Sequence, residues 1–198
     1  MVELTITKEN SNQYIQNGVL IINKTEAKTI TKLYCNNDMN VSAIDLSNCV
    51  NLEALYCFNN KISSIDLSNC VNLKYLNCSN NKISSLDLSN CMDIENIHCS
   101  KNNISSIDLS NCVNLIYFDC YNNNILSIDL SNCVKLEEFN CSINNISSID
   151  LSKCVNLGTI DCYDNDISSI DLSNCIDLEY IDCSHNNISS IDLSNCVN

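Results

Sequence analysis

The residues of this chain best suited to chemistry are its sixteen cysteines, and they fall at fixed intervals. Cys57, Cys78, Cys99, Cys120, Cys141, Cys162 and Cys183 follow one another at 21-residue steps, with Cys35 22 residues ahead of the first. Cys49, Cys70, Cys91, Cys112, Cys133, Cys154, Cys175 and Cys196 keep the same 21-residue step. Thiolates can ligate metals, attack electrophiles or pair as disulfides. From Cys49 onward the gaps alternate between 8 and 13 residues, and no C-x-x-C occurs, which is unlike zinc-ligand spacing. His98 adjoins Cys99, but strand alternation sends neighbours to opposite faces, so the two cannot share one ion. A nucleophilic cysteine needs an electropositive, accessible setting, and this chain has 24 acids against 10 bases. Asp161 and Asp182, one period apart, resemble the carboxylate pair of a glycosidase. A shallow open sheet, however, offers no closed pocket to shift their pKa values. The residues therefore point to no enzyme, no cofactor and no metal site, and the cysteines read as part of a repeating structural unit.

Net charge is −14, and every base is a lysine. Nucleic-acid recognition rests on a basic footprint and commonly on arginine forks, so no nucleic-acid partner is expected, and an anionic membrane surface is disfavoured for the same reason. No apolar run reaches the length of a membrane span, so no membrane insertion is expected. The start, MVELTITKENSNQY, shows no apolar signal region. Cysteines at this density without a leader imply a cytoplasmic, reducing setting with free thiols, or a secreted or surface-exposed one if a leader was removed. Glycine occurs twice and proline never, so turns fall to asparagine, which tolerates the left-handed region.

These columns need elements to position them. In the unit NLEALYCFNNKISSIDLSNCV the recurrent apolar places are Leu52, Leu55, Cys57, Ile62, Ile65, Leu67 and Cys70. Leu55-Tyr56-Cys57 alternates as a strand with one buried face does. The chain then turns at Asn59-Asn60 and returns by an irregular or short 3-10 path, too short for a full helix. The pattern L-x-x-L-x-C-x-x-N-x-I, with Asn60, Asn81, Asn102, Asn123, Asn144, Asn165 and Asn186, resembles the leucine-rich repeat. Cysteine in the strand, the 21-residue period and the IDLS that follows resemble the cysteine-ladder, internalin J-like subgroup. The resemblance runs from Ile30 onward over about eight units. The first departs from it, with Asp38 at the asparagine place and one residue inserted before Ile44. It implies an α/β-class but mostly β solenoid, right-handed and curved, with a parallel sheet on the concave face and an irregular convex side. Such solenoids usually bind proteins.

Three columns have structural roles. The asparagines satisfy backbone groups opened by the turn. The strand cysteines stack as small hydrophobes. Rungs about 4.8 Å apart would allow a disulfide by distance, but in-register Cβ vectors fit that bond poorly, so free thiols are expected. Asp45, Asp66, Asp87, Asp108, Asp129, Asp150, Asp171 and Asp192, each in D-L-S, cap turns by accepting N–H groups two or three residues on. Calcium could relieve such a line of carboxylates, but no glycine-rich loop or bidentate glutamate accompanies it.

The outward strand columns vary from unit to unit, so recognition belongs there. Tyr34, Tyr56, Phe58 and Tyr75 are expected near one end, with His98 mid-way. Tyr117, Asp119, Tyr121, Asp161, Tyr163, Tyr180 and Asp182 are expected to form an aromatic and acidic patch near the other. Exposed tyrosine is a common interface anchor, though it also simply suits strands. Residues 1–29 do not fit the repeat and read as a cap of short strands joined through residues 11–18. Residues 30–198 are the repeats, with the last unit truncated and no C-terminal cap evident. The expected function is a non-enzymatic module that binds a protein, favouring a basic one, by its concave strands. The alternative is a structural protein forming homo-oligomers through an open C-terminal edge.

Overall fold

The computed structural model describes residues 1–36 and 39–196. Asp38, and the turn expected of it, lie outside the described residues. In chain order the elements are β1 (Glu3–Thr5), α1 (Ser11–Tyr14), β2 (Ile15–Gln16), β3 (Val19–Ile21), α2 (Lys24–Ala27), β4 (Lys32–Tyr34) and β5 (Ala43–Asp45). One three-residue strand per repeat follows: β6 (Ala54–Tyr56), β7 (Tyr75–Asn77), β8 (Asn96–His98), β9 (Tyr117–Asp119), β10 (Glu138–Asn140), β11 (Thr159–Asp161) and β12 (Tyr180–Asp182). Strands β1, β4 and β6 to β12 make a nine-stranded sheet in that order, parallel throughout. Equivalent residues pair across each step, as Leu55 with Leu76 and Leu76 with Ile97. The chain is a mostly β, parallel-sheet solenoid, and each 21-residue unit is one rung.

Alternation sets which side chains enter the core. Leu55 and Cys57 are fully buried while Tyr56 between them faces out, half-buried. Leu52, Ile62, Ile65, Leu67 and Cys70 complete the interior of the rung, and the same places are buried in the rungs from β6 to β11. Phe118 and Phe139 take the central strand place on β9 and β10 and stack at 5.6 Å inside the core. The returning path is held by short i to i+3 bonds: Cys70 N donates to Leu67 O at 2.9 Å and Leu73 N to Cys70 O at 3.1 Å.

Each turn is fixed by two devices that the sequence made visible. The ladder amide bridges rungs: Asn123 Nδ2 donates to Cys99 O and Cys120 O at 3.0 Å each, and its Oδ1 accepts from Ile104 N at 3.0 Å. The D-L-S carboxylates close Asx turns, Asp108 Oδ1 accepting from Ser110 N at 2.9 Å, with equivalents at all eight positions. Further asparagines on the returning path tie rungs together from outside. Asn72 Nδ2 donates to Val50 O at 2.9 Å and Asn111 Nδ2 to Ser89 O at 3.0 Å.

The first 29 residues enter the same architecture. Strand β1 pairs with β4 in register, and Ile6 N donates to Tyr34 O at 2.7 Å, as Cys35 N does to Tyr56 O at 2.8 Å. Ile6 thus fills the place that cysteine holds in later rungs. Residues 11–18 hold more than a connection: Ser11–Tyr14 is a helical turn, and Ile15 and Gln16 pair antiparallel with β3, which pairs in turn with β5. Asn23 caps α2, its Oδ1 accepting from Glu26 N at 3.0 Å.

Candidate functional site

Two outward columns flank the middle residue of each strand of the large sheet, buried in all but β12. Five rings on successive rungs stack across them. Tyr34 and Tyr56 lie with centroids 4.5 Å apart and planes 7° from parallel. Tyr56 meets Tyr75 at 4.7 Å, Tyr75 meets His98 at 5.3 Å, and His98 meets Tyr117 at 4.4 Å. Tyr34, Tyr56 and His98 end their strands while Tyr75 and Tyr117 begin theirs, so the stack zigzags between columns as it crosses β4 to β9. Tyr117 thus completes the run of rings and also borders the acidic patch, lining a recess with Glu138, Asp161 and Tyr180. Rung spacing brings rings of adjacent strands to stacking distance, and their mutual cover holds each half-buried. Burial pushes the phenol pKa values of Tyr56, Tyr75 and Tyr117 up, and it lowers that of His98 against an opposing pull from Asp119. The stack is thus an uncharged stripe on an acidic protein.

The stack ends where β10 offers Glu138 and Asn140 instead of rings. Beyond it the acids predicted for binding also have local structural work. Asp119 Oδ1 accepts from Tyr121 N at 3.0 Å, Asp161 Oδ1 from Tyr163 N at 3.2 Å, and Asp182 Oδ1 from Ser184 N at 2.9 Å. The buried Ser142 hydroxyl donates to Asp161 as well. Asp161 and Asp182 pair in register on β11 and β12. Hydrogen bonds from Ser184 hold the Asp182 carboxyl below its usual range. Phe58, half-buried, follows Cys57 on the turn side. Tyr121 lies under Lys101 Nζ at 5.8 Å, and Tyr163 meets His185 edge-on at 5.0 Å. Tyr180 is 52% exposed.

A cleft of about 450 Å³ beside the first ring is lined by Glu3, Thr5, Lys8, Tyr34, Asn36 and Met39. Nothing in the repeat pattern marks it, because β1 lies outside the repeat. Lys32, on β4 beside it, is paired with Glu3 at 2.8 Å. Cys99 is buried while His98 faces out, and the sixteen cysteines are free thiols, fourteen of them buried. Burial pushes the Cys35 and Cys78 thiols up to about 12, so almost no thiolate forms near neutral pH. Among the described residues no helix is long and apolar enough to cross a membrane.

A family profile described as Leucine Rich repeats (2 copies) matches residues 50–90. No curated protein matches the chain. Among solved structures, the functional domain of InlJ from Listeria monocytogenes, which includes a cysteine ladder, is 30% identical. That match has a TM-score of 0.69 and covers 85% of this chain and 42% of the other. A leucine-rich-repeat protein of Leptospira interrogans is 16% identical with a TM-score of 0.75, over 85% of this chain and 47% of that one. Internalin C2 of Listeria monocytogenes is 21% identical with a TM-score of 0.73, over 90% and 82%. The last two show likeness of fold, and the chain spans less than half the length of the first two. With the repeat, the parallel rungs and the buried sulfur columns in place, the chain is a leucine-rich-repeat solenoid similar to the cysteine-ladder type.

Proposed function

We propose that this solenoid is a non-enzymatic module that binds a protein through the outward, concave face of its large sheet. The observation that carries the reading is the five-ring stack from Tyr34 to Tyr117, an organised aromatic surface on side chains that the rung itself does not require. Aromatic rings give large contact area with few rotatable bonds, which suits interface anchors. A net charge of −14 and the carboxylates beyond Tyr117 favour a basic protein over nucleic acid. The test is capture of proteins from native cell lysate by the wild type and by a Tyr56→Ala/Tyr75→Ala variant whose circular dichroism is unchanged. A partner held by the wild type and lost by the variant is the expected result. Equal capture by both would sink the reading.

A further inference from the structure

Two adjoining recesses open where the rings stop. One, of about 170 Å³, lies between Tyr117 and Tyr180, with Thr159 between them and the carboxylates of Glu138 and Asp161 on its wall. The other, of about 390 Å³, shares Glu138 and Thr159 and continues off the sheet past Gly158, bounded by Glu137, Asp177 and Glu179. Their origin is a break in two columns. The place before each strand holds Glu53, Lys74, Glu95, Ile116, Glu137 and Glu179, but Gly158 on the rung of β11. The first strand place there is Thr159, small beside its neighbours Glu138 and Tyr180. A Cβ at Gly158 would meet nothing closer than Asp177 O at 3.7 Å, so neither the turn nor the packing demands glycine. What glycine provides is space.

The space has a definite chemistry. Tyr117 ends the stack, so one face of its ring has no aromatic neighbour on the next rung, and Tyr180 stands three rungs on, about 14 Å away at the usual strand spacing. No lysine lines either recess, and among the described residues none of their carboxylates is in an ion pair. The open face of Tyr117 with carboxylates beside it fits a planar cation, which can stack on a ring and receive an oxygen on each N–H edge. An arginine guanidinium does both, and a lysine ammonium only the Coulombic part. Resting on the strand-face reading above, we infer that the Tyr117–Tyr180 recess receives an arginine side chain of a basic partner segment, which leaves the sheet along the Gly158 groove.

The test uses the full 15N-labelled chain and the capped peptide Gly-Arg-Gly-Arg-Gly, with its citrulline counterpart as the uncharged isostere. The arginine peptide is expected to shift the Gly158 and Thr159 amide resonances saturably, and the citrulline peptide to leave them in place. Glu138→Gln, which removes one carboxylate, and Gly158→Gln, which fills the groove, each weaken binding roughly tenfold. Glu53→Gln, the same charge loss on a distant rung, weakens it less than about twofold. Equal binding of the citrulline peptide, equal weakening by Glu53→Gln, or shifts lying elsewhere would each overturn the assignment. Should Gly158→Gln disturb the fold, the Glu138 and Glu53 variants still decide. Partner capture that depends on Tyr56 and Tyr75, with no arginine-dependent shift at Thr159, would leave the strand-face module standing and remove this site alone.

Discussion

Ile143 is the residue most at odds with its backbone. It occupies the turn position held elsewhere by Asn59, Asn80, Lys101, Asn122, Asp164 and His185, all with φ between 54° and 56°, and its own φ is 53°. The left-handed region brings Cβ against the following carbonyl at about 1–2 kcal/mol for an ordinary residue. Asparagine tolerates that region and isoleucine, β-branched, does not. The rung keeps Ile143 there because its N–H donates to Tyr163 O at 2.8 Å and the ladder Asn144 is next in line. Its side chain is only half-buried, so little packing opposes the strain. Ile143→Asn is therefore expected to stabilise the fold by about 1 kcal/mol, which for a chain of this size raises the midpoint of thermal unfolding by about 2–4 °C. Ile143→Val keeps the branch and the strain and leaves the midpoint nearly unmoved. The reverse change, Asn122→Ile on the preceding rung, lowers it by a similar amount. Circular dichroism melts give the midpoints, and hydrogen exchange at the Ile143 amide reports whether the change is local, since rungs in a solenoid open in part. A midpoint for Ile143→Asn at or below that of the wild type would mean that the isoleucine side chain contributes more by packing than its φ costs, and the reasoning would fail.

Two further outcomes follow from burial. Under native conditions an aromatic disulfide reagent should label Cys183 and Cys196, the two half-buried thiols, and reach the other fourteen only after unfolding. Rapid labelling at any ladder cysteine from Cys57 to Cys162 would show that the interior opens. His98, desolvated between Tyr75 and Tyr117, has its folded-state pKa below the ordinary 6.5, so the fold favours the neutral ring. That contribution is complete above 6.5 and is lost as pH falls toward the folded-state value. The eight D-L-S carboxylates, lowered from 3.8 by bonds from their serines, lose theirs only in a separate, more acid window. Urea unfolding at pH 8 and pH 5.5 should show the drop and a His98→Gln variant should lack it. A His98 imidazole proton resonance titrating at or above 6.5 would refute it.

Columns of identical residues were readable because the solenoid repeats their environment. One unit was enough to place Leu55 and Cys57 inside, Asn60 in the ladder and Asp66 in an Asx turn. The parts that escaped depend on relations between rungs. The ring stack crosses from the third strand position at Tyr56 to the first at Tyr75 and back at His98, a diagonal that no single column displays. The left-handed site was legible as asparagine, but Lys101 and Ile143 show that the rung imposes the conformation even on residues that resist it. The first rung was hidden because Ile6 replaces cysteine and nothing at Leu4 carries the period. The outer asparagines, Asn72 and Asn111 among them, bond to carbonyls of the preceding rung, a relation that only the coordinates display.

The place of Ile6 bears on why sulfur is there at all. It sits in the same column and makes the same backbone bond as the cysteines, and it is 4% exposed. An aliphatic side chain therefore satisfies that slot, at least where β1 ends the stack. Thiol chemistry is not what the position requires, and with pKa values raised by burial the thiols have little of it to offer. Cysteine serves as a small apolar filler in a column whose members recur at strand spacing. Uniform columns of this kind give a sheet with no distinguishing feature along its length. On the proposed function, recognition is read from the departures: the run of rings across β4 to β9, and the place at Gly158 and Thr159 where the columns narrow.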